Sequence, residues 1–110
     1  MDEIVVLITT GSEAEARSIA RVLVEQELVA CVNVLPGVRS IFRWEGQVAE
    51  EQECLLMAKT VSQAFDRVAT AVKSMHSYRL PEVIALPIQQ GLPEYLSWVR
   101  EVIKPTGQTA

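Results

Sequence analysis

With 110 residues, 49% of them apolar and 22% charged, the chain is long enough to bury one core and too short for two. Its formal net charge of −4 argues against a nucleic-acid backbone as partner. No apolar run approaches the ~20 residues of a membrane span, and Met1-Asp2-Glu3 is acidic where a signal peptide would be basic. These features predict a cytoplasmic protein without membrane or nucleic-acid partners, in which two cysteines are reduced thiols rather than a disulfide framework.

In chain order, Ile4 to Thr9 is a continuous apolar, β-branched run, which predicts a buried central strand. Ser12 and Glu15 form an S-x-x-E capping box at the start of a helix. Ala16, Ile19, Ala20 and Leu23 repeat at helical spacing, and the helix extends to Glu27. Leu28 to Thr60 reads as one long β-hairpin turning at Glu45-Gly46, where glycine supplies the positive φ of a tight turn. Toward its tip, Val38, Ser40, Phe42 and Trp44 alternate with Arg39, Ile41, Arg43 and Glu45, giving two unlike faces. A second helix is expected from Ser62 to Met75 with Phe65, Val68, Ala69 and Val72 inward, followed by an irregular connection from His76 to Pro81. Val83 to Gln89 predicts a last strand at a sheet edge or a bulge, since Pro87 cannot donate to a ladder. Gly91-Leu92-Pro93 opens a third helix, Pro105 follows its end, and Thr106 to Ala110 reads as a frayed tail. No linker or repeat divides residues 1–110, so a single domain is expected.

The order β-α-β-β-α-β plus a terminal helix predicts an α+β, ferredoxin-like sandwich, one sheet covered by helices on one face. Ile4 to Thr9 and Val83 to Ile88 are apolar on both faces, so the open face should pack against another subunit. The hairpin points the same way. From Leu28 to Trp44 an extended strand spans roughly 55 Å, against about 35 Å for the diameter of a domain this size. Either it bends at Pro36-Gly37 or its tip lies on a neighbouring subunit, and Ile41, Phe42 and Trp44 at the tip favour the second.

If Trp44 pairs with Gln47 and the register runs unbroken, Cys31 stands opposite Thr60 and Cys54 opposite Gly37, the thiols roughly 20 Å apart. A bulge at Pro36-Gly37 would alter that count. Cys31, Cys54 and His76 are too few for a closed metal site within one chain. The cysteines read first as small buried hydrophobes and His76 as a hydrogen-bonding loop residue. Cys31 or His76 would hold a metal only with help from a second subunit. Glu50, Glu51 and Glu53 read as a solvated edge, although Glu53 shares a face with Leu55 and Met57 and is placed to turn inward. Lys59 ends an apolar run, where its charge requires a partner. Trp44 and Tyr78 offer flat apolar walls, and Lys59, Arg79 and Glu82 offer charged ends, a mixture suited to a small-ligand pocket. Trp44 and Lys59 lie roughly 45–50 Å apart along an extended strand, so they share a pocket only across subunits.

Taken together, Ala30-Cys31-Val32-Asn33, the run from Ser40 through Arg43-Trp44-Glu45-Gly46, Glu53 with Lys59-Thr60, Pro81-Glu82-Val83-Ile84, and Tyr95-Leu96 with Trp98 resemble the CutA family of divalent-cation tolerance proteins over nearly the whole chain. The resemblance implies a ferredoxin-like homotrimer similar in architecture to the PII signalling proteins, its hairpins clasping neighbours. It further implies a cytoplasmic role linked to copper and other divalent cations, no established reaction, no required cofactor, and clefts between subunits suited to small effectors. One segment departs from the pattern. The family usually reads H-P-Y-E-x-P-E where this chain has His76-Ser77-Tyr78-Arg79-Leu80-Pro81-Glu82. Arg79 reverses the local charge and suits a carboxylate or phosphate better than a metal ion. The expected ligand is therefore a small polar or anionic molecule between subunits, beside Trp44, Lys59, Tyr78, Arg79 and Glu82. The alternative is a small-molecule enzyme acting in that cleft. Acylphosphatase-like hydrolysis would need an arginine and an asparagine converging on phosphate, and the sequence has no recognisable anion loop for them. A copper-delivery protein should show a Cys-x-x-Cys-type thiolate pair, which the sequence lacks.

Overall fold

A computed structural model describes residues 2–105, so the expected tail at 106–110 lies outside the described residues. Strand β1 (Glu3–Thr10) leads to helix α1 (Glu13–Glu25). The hairpin strands β2 (Cys31–Trp44) and β3 (Gln47–Val61) follow. A short 3-10 turn (Ser62–Ala64) enters α2 (Phe65–Met75), and β4 (Val83–Pro87) and α3 (Pro93–Glu101) complete the chain. The sheet order is β2-β3-β1-β4, antiparallel throughout, which is the ferredoxin-like arrangement with β1 central.

Local chemistry sets the element ends. Ser12 caps α1 by accepting from the Glu15 amide at 3.1 Å. The helix stops at Glu25, two residues short of expectation. Glu27 takes a positive φ of 59°, which lets the Leu28 amide reach back to the Leu23 carbonyl at 3.0 Å. Pro87 closes β4 on the sheet edge, and Pro93 occupies the first turn of α3.

One face of the sheet carries the core. Ile4, Val6 and Ile8 of β1 and Leu56 and Ala58 of β3 meet Ile19 and Leu23 of α1 and Val68 and Val72 of α2. Each large side chain buried here is worth roughly 1.5–3 kcal/mol relative to exposure. In α2 the partly buried contributors are Phe65, Ala71 and Met75; Ala69, expected inward, is not part of the cluster. A second cluster lies where β3 ends, with Val99 and Ile103 packed on Ala30, Val61 and Ala64. Arg100 Nη1 donates to Glu3 Oε2 there at 2.9 Å. The opposite sheet face bears Val5, Leu7 and Met57, half-buried, beside Ile84 and Leu86, each about half exposed.

The hairpin departs from the unbroken register. From the tip inward the pairs run Trp44–Gln47 to Val38–Glu53. They then resume at Leu35–Leu55 and continue to Cys31–Lys59, so that Pro36 and Gly37 together stand against Cys54 alone. This is a β-bulge, with Gly37 at a φ of 77°. Cys31 therefore faces Lys59 rather than Thr60. The bulge also shifts the alternation of β2 by one residue, so Cys31, Asn33 and Leu35 share a face with Val38, Ser40, Phe42 and Trp44. Beyond Glu53, β3 pairs with β2 only, and the two strands leave the sheet as a ribbon that helps stretch the molecule to 43 Å.

Candidate functional site

The ribbon and residues Tyr78–Glu82 of the segment His76–Glu82 flank an open-sided cavity of about 780 Å³ within one chain. Three anchors fix that segment. The His76 side chain is fully buried at the end of α2. Its Nε2 lies 2.7 Å from the Thr9 carbonyl oxygen and its Nδ1 lies 3.0 Å from the Tyr78 amide. These contacts specify a neutral ring that donates through Nε2 and accepts through Nδ1. Glu15, expected to close the capping box, points elsewhere. Its carboxylate accepts from the Ser77 amide at 2.7 Å and the Ser77 hydroxyl at 3.0 Å. The amide bond requires a residue other than proline at 77, because proline has no N–H. Finally, the Tyr78 hydroxyl donates to Glu53 Oε2 at 2.7 Å. The ring lies over Gly11, where a Cβ would come within 3.1 Å of the phenolic oxygen.

Charge and aromatic surface meet in this cavity. Phe42, Trp44 and Tyr78 supply rings to its lining; Glu51, Glu53, Glu82 and Arg79 supply charges. The Arg79 guanidinium carbon lies 5.8 Å from the centroid of the Trp44 ring, a cation–π contact. Glu53 is only 8% exposed, turned inward as its place beside Leu55 predicts. Burial, then the hydrogen bond to Glu53, then the neighbouring carboxylates push the Tyr78 phenol up to about 12, so it stays a donor across the physiological range. Three carboxylates against one guanidinium is the reverse of what an anionic ligand needs.

Of the five expected ligand-site residues, Trp44, Tyr78, Arg79 and Glu82 line this one cavity, and they do so without a second subunit. Lys59 stands apart on the open sheet face, hydrogen-bonded to Asn33 Oδ1. Cys31 lies beside it, its Sγ 3.3 Å from the Tyr95 hydroxyl. That contact, more than burial, raises the Tyr95 phenol above its ordinary range. Burial, followed by the charge of Glu13, raises the Cys54 thiol and leaves it unreactive. Within one chain Cys31 and His76 are not brought together: both His76 nitrogens face backbone partners, and Cys31 lies beside Tyr95 in another part of the sheet. Among the described residues no three His, Cys, Asp or Glu groups converge as a metal-holding set. Sequence reasoning missed Phe42, Glu51 and Glu53 as lining residues. Their signal was present, since all three lie on the Trp44 face of the ribbon once alternation is counted from the tip.

Known proteins with the same architecture place the chain. The CutA1 divalent ion tolerance protein family profile matches residues 4–102. The chain is similar to the divalent-cation tolerance protein CutA of Thermus thermophilus, 54% identical over 90% of this chain and 96% of that protein. It is also similar to protein CutA of mouse, 45% identical over 86% of this chain; the chain spans only 54% of that longer relative. Among solved structures, the Thermus thermophilus divalent cation tolerance protein superposes with a TM-score of 0.91 at 53% identity, covering 93% of this chain and 99% of that one. The periplasmic divalent cation tolerance protein CutA of Archaeoglobus fulgidus does so at 0.89 and 41% identity, covering 93% and 99%. With the profile spanning the sheet, the bulged hairpin and the His76–Glu82 segment alike, the chain belongs to the CutA1 divalent ion tolerance protein family.

Proposed function

We propose that the protein is a cytoplasmic, homotrimeric signalling or ligand-sensing protein linked to divalent-cation tolerance, with the cavity beneath Tyr78 as its effector site. The observation that carries the reading is the construction of that cavity. A loop pinned by a buried histidine and a carboxylate holds an aromatic ring and two charged groups against a ribbon that also contributes rings. Such convergence of a few polar groups on an apolar frame is the pattern of small-ligand sites. The role is binding rather than catalysis and requires no cofactor. Copper or another divalent cation is the stimulus, and Cys31 would hold such an ion only with ligands from a second subunit.

Trimer formation is supported by apolar surface that one chain leaves uncovered. Ile84 and Leu86 on the open sheet face are 50% and 51% exposed, and Ile41 and Val48 on the ribbon are 68% and 67% exposed. Patches of this kind mark subunit contacts. Native mass spectrometry at micromolar protein should show a trimer; a folded monomer would sink this part of the reading. A thermal-shift screen of divalent metals, nucleotides and small charged molecules should find a stabilising ligand. At 100–1,000 times its dissociation constant a ligand adds ~3–4 kcal/mol to folding stability, and its effect should vanish when Trp44 and Tyr78 are both replaced by alanine.

A further inference from the structure

The charges of the cavity narrow the class of ligand. Glu51, Glu53 and Glu82 outnumber Arg79 in its lining, so the site carries a negative potential before anything binds. A divalent metal is the first candidate for such a site, yet among the described residues the acidic groups do not converge as a metal-holding set. Negative charge that is spread out and framed by Phe42, Trp44 and Tyr78 matches a cation whose own charge is attached to a carbon skeleton.

Two further observations support this choice. Glu53 is more than nine-tenths buried, and Tyr78 engages its Oε2 alone. Its Oε1 accepts no hydrogen bond from the described residues, which leaves one charged acceptor in the cavity wall free for a donor. Arg79, meanwhile, already shows what the Trp44 ring accepts. The chain's own guanidinium lies 5.8 Å from the ring centroid, on a side chain that is otherwise exposed. A free cation seated on the same ring face would take the place of this contact.

We propose that the cavity takes a small organic cation, an alkylammonium or guanidinium compound, with its charged nitrogen on Glu53 and its carbon chain against Phe42 and Trp44. The inference rests on the reading of this cavity as the effector site, and one set of titrations separates the two. Calorimetry on the intact protein would use n-butylammonium, 4-aminobutylguanidine, sodium butyrate, inorganic phosphate, and zinc or copper salts alone. The two organic cations should bind and butyrate should not. Glu53→Gln keeps an acceptor for Tyr78 and should weaken the cations about tenfold or more. Arg79→Gln, at an exposed position, should tighten them about two- to fivefold by freeing the Trp44 face. Binding of butyrate or phosphate that is lost in Arg79→Gln would overturn the inference and leave the effector site standing. Binding of the metal salts alone at Glu53 would overturn it in favour of an inorganic cation. Silence from every probe would overturn both.

Discussion

The inner and outer halves of one hairpin are built from the same kind of strand and held by different forces. In the inner half, Cys54, Leu56 and Ala58 are buried against two helices, and the ladder is shared with β1 on the other side. In the outer half, Ile41 and Val48 are about two-thirds exposed, and among the described residues no third strand joins the ladder. A two-stranded ribbon on its own is marginal in water. What steadies it within one chain is lateral: Tyr78 on Glu53, Arg79 on Trp44, and Arg39 Nη1 on Glu50 Oε2 at 3.2 Å. The last of these is solvent-exposed and contributes about 1 kcal/mol or less. The inner half thus draws its stability from burial, while the outer half depends on whatever lies beside it, which is the requirement of a part that responds to a ligand or a neighbour.

That contrast can be tested by substitution. Leu56→Ala empties a fully buried position and should cost about 2–5 kcal/mol in urea unfolding. A loss below 1 kcal/mol would mean that the inner half does not rest on this core. His76→Ala removes a ring that joins the Thr9 carbonyl to the Tyr78 amide, and should cost about 1–3 kcal/mol while speeding amide exchange at Tyr78. Unchanged exchange there would show that the loop is anchored by other contacts. Gly37→Ala meets no neighbouring atom but places a Cβ on a backbone at a φ of 77°, for a cost of about 1–2 kcal/mol. A neutral result would indicate that the bulge relaxes without penalty. Ile41→Ala should change stability by less than about 0.5 kcal/mol if solvent surrounds it. A loss approaching that of Leu56→Ala would instead reveal the outer ribbon as a buried surface in the assembly, the outcome the proposed trimer requires.

The smallest effect near neutral pH concerns Tyr78, whose folded-state value of about 12 lies above the ordinary tyrosine value of about 10. The native state then holds a proton that the unfolded state releases. The associated stability is complete below about pH 10 and disappears as pH rises toward 12. Phenolate absorbance should show this delayed titration, and Glu53→Gln should move it back toward 10 by removing the adjacent negative charge. A Tyr78 titration unaffected by that change would assign the shift to burial alone.

Much of the fold was legible because its determinants are local. Ser12 caps its own helix, Glu45-Gly46 turns its own hairpin, and Pro87 marks its own strand as an edge. The site was legible in its members and not in its assembly. Trp44, Tyr78, Arg79 and Glu82 could be picked out by type, but the contact of Trp44 with Arg79 depends on where the ribbon leaves the sheet. His76 bonds a carbonyl 67 residues away, and Glu15 a serine 62 residues away, separations that no local pattern encodes. Lys59 was legible as a charge in need of a partner, and within one chain that partner is the neutral amide of Asn33, two rungs along the adjacent strand.

The two-for-one step at Pro36-Gly37 behaves like a frame-shift written into the strand. Strict alternation along β2 would carry the surface of Cys31, Asn33 and Leu35 on to Arg39, Ile41 and Arg43; with two residues standing against Cys54, that surface passes instead to Val38, Ser40, Phe42 and Trp44. Deleting Gly37 alone would leave Pro36 opposite Cys54 and every rung from Val38–Glu53 to Trp44–Gln47 in place. The aromatic surface would keep its facing, and the ribbon would lose the added bend and twist that a bulge gives a strand, so the reach of the tip and not the facing of its side chains is what the extra residue sets.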